Sequence, residues 1–178
     1  MKVHEEHKKK GPEKVNIALV IVSTTRFNEL QEGKPSTDKT ISLVKKVLEG
    51  HPEISLSSSD IVSDNAEQIK KKLNELKKDS SIHSILFSGG TGLTSKDITY
   101  ETIEPLLEKK ITGFGELFRY LSFKEIGASA MLSRAIGGRI KDKAVFLLPG
   151  SPKAVELALK ELLIPELRHI VSMITKKE

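Results

Sequence analysis

Short, unbroken apolar runs, too brief for helices and separated by helical patterns, restrict this chain to very few architectures. "VNIALVIVS" (15–23) is continuous and rich in β-branched side chains, as in a parallel strand buried on both faces. "SIHSILFS" (81–88) and "KAVFLLPGSP" (143–152) read the same way, the latter breaking at Pro149-Gly150. A further strand is expected near "ISLSSSDIVS" (54–63), with limits blurred by its serines. Between the first two strands, Thr40, Ile41, Val44, Val47 and Leu48 recur at helical spacing, and Gly50 and Pro52 end that helix. Ahead of "SIHSILFS", Ala66, Ile69, Leu73 and Leu76 mark an amphipathic helix with a lysine-rich outer face.

Strand and helix alternating in this way predict βαβ units, and hence a three-layer αβα sandwich around a mostly parallel sheet. Short helices are expected around Ile103, Leu106 and Leu107, near "FGELFRYLSFKEIG" and near "ASAMLS". "SPKAVELALKELLIPELRHIVSMITKK" reads as helix interrupted at Pro165. The 178 residues suit one well-cored domain, taken as 14–178, behind a charged N-terminal tail at 1–13 whose His4 and His7 read as solvated. "TTRFNELQEGKPSTDK" (24–39) reads as a polar connection.

Composition removes several classes of function. With no cysteine there is no disulfide framework, thiol nucleophile or Cys-based zinc site, which suits a cytoplasmic protein. No apolar run approaches the ~20 residues of a membrane span, and the first residues lack the apolar region of a secretory signal. The net charge of +5 is spread among interspersed acids, and aromatics are 4% with no Trp, which argues against nucleic acid as partner. A modest positive field equally draws small phosphorylated substrates. No G-x-S-x-G elbow supports a serine hydrolase.

Parallel sheets bind ligands beyond the carboxyl ends of their strands, and three loops fall there: "STTR" (23–26), "SGGTG" (88–92) and "LPGSP" (148–152). In the second, Gly89, Gly90 and Gly92 let an anion approach main-chain amides, while Ser88, Thr91, Thr94 and Ser95 add hydroxyls. The spacing is neither a dinucleotide fingerprint nor a Walker A loop, so a plain turn stands beside a phosphate site. Asp97 reads either as the N-cap of the next helix or as a Mg²⁺ ligand, and Asp64 likewise either caps the helix that starts at Asn65 or shares that metal. Ser151 before Pro152 is an ideal helix start, and that helix terminus is a second anion site.

The order and spacing of "SGGTGLTSKD", "GFGELFRYLSFKEIG", "LSRA" and "LPGSPKA" resemble the molybdenum cofactor biosynthesis proteins of the MoaB/MogA type over residues 14–170, with "GLT" and "LSFKEIG" nearer the MoaB branch. The resemblance implies a homo-oligomer, trimer or hexamer. It also implies Mg²⁺-dependent transfer of AMP from ATP to the terminal phosphate of molybdopterin, releasing pyrophosphate and preparing hand-over to a metal-insertion protein. The same step would serve molybdenum or tungsten. It assigns phosphate binding to Gly89, Gly90, Thr91 and Gly92, with Ser151 at the second helix terminus. Asp97 and Asp64 take metal positioning, Asp97 also acts at the attacking phosphate, and Glu101 and Ser122 are further candidates. A general base is not required, because a phosphate monoester is already ionised near pH 7. Where the family often carries Arg before the loop aspartate, this chain has Lys96. Some MoaB-branch members lack the acidic positions, so the alternative is an inactive pterin-binding scaffold; both aspartates are kept here.

Overall fold

The computed structural model describes residues 12–176, and the N-terminal tail read at 1–13 lies almost wholly outside them. The elements run β1 Val15–Val22, α1 Thr24–Gln31, α2 Thr40–Leu48, β2 Ile54–Val62, α3 Ala66–Lys78, β3 Ser84–Ser88, α4 Thr99–Ile103, β4 Lys109–Ile111, α5 Thr112–Ile126, β5 Ile136–Ile140, β6 Lys143–Leu148, α6 Pro152–Ala158 and α7 Ile164–Thr175. Six strands form one sheet in the order β2-β1-β3-β6-β5-β4. β2, β1, β3 and β6 run parallel to one another, β5 pairs antiparallel with β6, and β4 pairs antiparallel with β5.

Period-two alternation along β1 divides the core. Val15, Ile17, Leu19 and Ile21 face one side, packed with Val44, Leu48, Phe118, Val155, Leu167 and Val171. Ala18, Val20 and Val22 face the other, packed with Ile69, Leu73, Leu76, Phe87 and Ile103. Burial on both faces explains the continuous apolar run, each fully buried Val, Leu or Ile contributing roughly 1.5–3 kcal/mol. The sheet thus lies between α2 and α5–α7 on one face and α3 and α4 on the other.

The structure departs from the sequence expectations in four places. The connection after β1 opens with a helix, α1, because Ser23 caps it by accepting from the Arg26 amide, although α1 buries no side chain completely. β5, "IGGRI", was not expected as a strand; a Cβ at Gly137 would lie 2.6 Å from the Phe146 ring, so glycine is what lets that ring cover the strand. β4 is a three-residue edge whose exposed lysines discourage further pairing. Finally, the last helix is not broken at Pro165. A π-helical turn at Leu159–Leu163 precedes the proline and absorbs its missing N–H.

Candidate functional site

β1 and β3 are neighbours, yet the chain leaves them for opposite faces, to α2 after β1 and to α4 after β3. That divergence opens a crevice at the topological switch point. A cavity of about 450 Å³ lies there, lined by Ile21, Val22 and Ser23 at the end of β1, Asp64 after β2, Ser88–Gly92 and Asp97 after β3, Pro149 and Gly150 after β6, and Arg26, Leu132 and Ser133. The expected loops therefore do converge.

The glycine loop is built by close approach. Gly89 and Gly90 have φ of +109° and +61°, in the region that favours glycine. A Cβ at Gly89 would fall 2.2 Å from the Val22 carbonyl oxygen, and one at Gly90 2.3 Å from Thr99 Oγ1 and 2.9 Å from Asp64 Oδ1. At Gly92 the obstruction would be Asp97 Oδ2, 2.7 Å away. Glycine here brings the loop against both carboxylates.

Hydrogen bonding then sorts the loop's polar groups. Carbonyl oxygens are committed on the protein side: Gly90 O accepts from the Thr99 amide at 2.8 Å, Thr91 O from Arg134 Nε at 2.9 Å and Gly92 O from an Arg134 guanidinium nitrogen at 2.6 Å. The Gly89 amide donates to Leu148 O, but those of Gly90 and Thr91 meet no acceptor among the described residues. Two uncommitted N–H groups beside a cavity form an anion-accepting nest. The hydroxyls of Ser88 and Thr91 donate to Pro149 O and Leu148 O, so they brace the loop against β6.

Neither aspartate is a helix cap. Asn65, not Asp64, caps α3 by accepting from the Glu67 and Gln68 amides. Asp64 Oδ2 instead accepts from the Thr24 amide at 2.9 Å and Thr24 Oγ1 at 3.1 Å, joining β2 to the start of α1. For α4 the cap position is Ile98, and Asp97 Oδ2 accepts from Thr94 through its amide at 3.0 Å and hydroxyl at 2.6 Å. The Thr94 hydroxyl bond, helped by the Thr94 and Gly92 amides and the Arg134 charge, holds the Asp97 carboxyl below its usual range against the opposing effect of burial. Both carboxylates are half-buried and anchored through one oxygen.

The remaining candidates lie outside the cavity. Ser151 is exposed and caps α6 by accepting from the Ala154 amide at 3.2 Å; the lining residue is its neighbour Gly150. Glu101 pairs with Arg134, and Ser122 is buried on α5. Residue-by-residue reading missed Arg134, whose signal lay in the quoted "LSRA", and Arg26, the only basic residue among the described lining residues. The described residues hold no group of three or more His, Cys, Asp or Glu suited to a metal. Two carboxylates with room for phosphate oxygens do suit Mg²⁺, which takes one or two protein oxygens and keeps its other positions for water and substrate. No helix among the described residues is long and apolar enough to cross a membrane.

Fold and site together define a doubly wound α/β protein with its binding crevice beyond the parallel strands. Residues 18–169 match the family described as probable molybdopterin binding domain, and the chain belongs to that family, with the MoaB and MogA proteins. It is 45% identical to molybdenum cofactor biosynthesis protein B of Bacillus cereus over 168 residues, 93% of this chain and 94% of the relative. A crystal structure of a molybdenum cofactor biosynthesis protein B superposes with a TM-score of 0.83 at 41% identity, covering 93% and 99% of the two chains. The tungsten cofactor synthesizing protein MoaB of Pyrococcus furiosus superposes with a TM-score of 0.78 at 32% identity, again over 93% and 99%. The protein thus takes part in molybdenum or tungsten cofactor biosynthesis.

Proposed function

We propose that the protein is a molybdopterin adenylyltransferase of the cytoplasm. A terminal phosphate oxygen of molybdopterin attacks the α-phosphorus of ATP; the P–O bond to the β-phosphate breaks, and adenylylated molybdopterin and pyrophosphate leave. The observation that carries this reading is the loop in which all residues from Ser88 to Gly92 line the cavity, with Gly90 and Thr91 amides uncommitted, beside two carboxylates. Two anionic reactants need main-chain donors to hold them and a cation to offset their repulsion.

Asp64 and Asp97 would hold Mg²⁺, which would neutralise charge on the phosphate oxygens when bound. Gly90 and Thr91 donate to phosphate, Gly89 and Gly92 let it come close, and Ser88 braces the floor. Ser151 keeps the amino end of α6 ordered behind Gly150. No residue needs to remove a proton from the nucleophile, since a phosphate monoester is largely ionised at neutral pH. The product would then pass to a metal-insertion protein.

The protein would work as a homo-oligomer, trimer or hexamer. Leu117, Tyr120 and Phe123 on α5, and Met131 and Leu132 in the 3₁₀ turn after it, are all more than half exposed, an apolar band that no element among the described residues covers. Leu132 also lines the cavity, so the band continues into the site. A crystal soaked with ATP and Mg²⁺ tests the site: the triphosphate is expected on Ser88–Gly92, and nucleotide bound elsewhere would refute the assignment.

A further inference from the structure

Among the described residues, the side chains lining the cavity include one cation and two anions: Arg26 against Asp64 and Asp97. Arg26 stands in the first turn of α1, held over the crevice by a backbone that begins at Ser23, the last residue before the helix. Its side chain is about one-third exposed, and its guanidinium makes only long contacts. One terminal nitrogen is 3.5 Å from Ser23 Oγ, and Nε is 3.7 Å from Asp38 Oδ2. Nε is buried and has no hydrogen-bond partner among the described residues. A guanidinium presents five donors in a planar fork matched to two phosphate oxygens, and here no acceptor at good distance occupies that fork.

Asp38 explains why the side chain stays there. Its side chain is only 5% exposed, and its other oxygen accepts from the Ile41 amide at 2.9 Å, at the amino end of α2. The connection between α1 and α2 is tied back by Glu29, which accepts from the Thr37 amide and hydroxyl, both at 2.9 Å. Asp38 is therefore a fixed carboxylate that attracts Arg26 without closing a hydrogen bond to it.

We propose that Arg26 is a substrate-binding residue that takes a phosphate group of the polyphosphate substrate in its guanidinium fork, opposite the glycine loop, and that Asp38 is the carboxylate competing with that phosphate. The inference rests on the adenylyltransferase reading of the cavity and adds a side-chain cation to it. Mg²⁺ and main-chain amides would answer part of the substrate charge; Arg26 answers another part and fixes orientation, because a bidentate fork accepts few geometries.

Calorimetric titration of the full chain with inorganic pyrophosphate in Mg²⁺ tests this. Arg26→Gln should weaken binding about ten- to a hundredfold, the loss expected for hydrogen bonds to a charged group. Arg26→Lys should recover part of that loss, having charge without the fork. Asp38→Asn should tighten binding severalfold, since asparagine caps a helix as aspartate does while withdrawing the competing charge; a purely structural Arg26–Asp38 pair predicts the opposite sign. Wild-type affinity in Arg26→Gln, or unchanged or weaker affinity in Asp38→Asn, would overturn the role of Arg26 and leave the adenylyltransferase reading standing. A wild-type protein that binds no pyrophosphate would overturn both.

Discussion

Arg134 donates from Nε to the carbonyl oxygen of Thr91 at 2.9 Å, reaching across from the far side of the glycine loop. The same guanidinium holds Gly92 O and Glu101 and lies over the Tyr100 ring, 4.8 Å from its centroid. Its donors fix the carbonyl side of the loop and so leave the amide side for ligand. Lysine cannot reproduce that fork. Arg134→Lys is expected to raise the KM for ATP about tenfold or more, with a smaller change in kcat; equal KM values in steady-state kinetics would remove the loop-positioning role.

Gly90 is a loop position that tolerates no side chain without a shift of its neighbours. Alanine there must adopt a φ near +61° and place Cβ 2.3 Å from Thr99 Oγ1 and 2.9 Å from Asp64 Oδ1. Gly90→Ala should cost about 1–3 kcal/mol of stability and displace Asp64. Gly113→Ala supplies a control, because its Cβ would meet nothing within 4 Å on a helix, and it should be neutral or stabilising by up to about 1 kcal/mol. Chemical denaturation of the two variants checks the contrast.

His83 Nδ1 accepts the Asn16 amide at 3.0 Å, and burial, reinforced by the Lys143 charge, lowers the imidazole pKa. The unfolded chain therefore takes up the proton first, so this contribution is full above the ordinary imidazole pKa of about 6.5 and is lost as pH falls through the folded value. His83→Asn keeps an acceptor that does not titrate. Between pH 7.5 and 5, its urea midpoint should fall less than that of the wild type; parallel slopes would contradict the assignment.

The apolar band on α5 makes assembly a matter of mass. Leu117→Lys with Phe123→Lys places two charges in that band, and light scattering should report a monomer for the variant and a trimer or hexamer for the wild type. A wild type that is already monomeric would refute the oligomer.

Much of the architecture was legible because β1, β3 and β6 are buried on both faces and so read as unbroken apolar runs. β5 was not, since Gly137 makes room for the Phe146 ring and Gly138 for the Lys109 carbonyl and Leu107, contacts with distant residues that local sequence does not encode. α1 was hidden for a related reason: it buries no side chain completely and has no apolar stripe to find. At the site, glycines and carboxylates stand out by type. What they bond to depends on neighbours forty or more positions away, as with Thr24 and Asp64 or Arg134 and Thr91. Capping therefore looked reasonable for both aspartates and was wrong for both.

Adenylyl transfer at this cavity, as proposed, would need Asp64 and Asp97 to position a cation. Pyrophosphate release from ATP, molybdopterin and Mg²⁺ tests it most directly. The expected result is one pyrophosphate per adenylylated molybdopterin in the wild type and a loss of about a hundredfold or more in Asp97→Asn, whose assembly and melting temperature stay near wild type. Binding of molybdopterin and ATP with no pyrophosphate formed, or full turnover in Asp97→Asn, would contradict it.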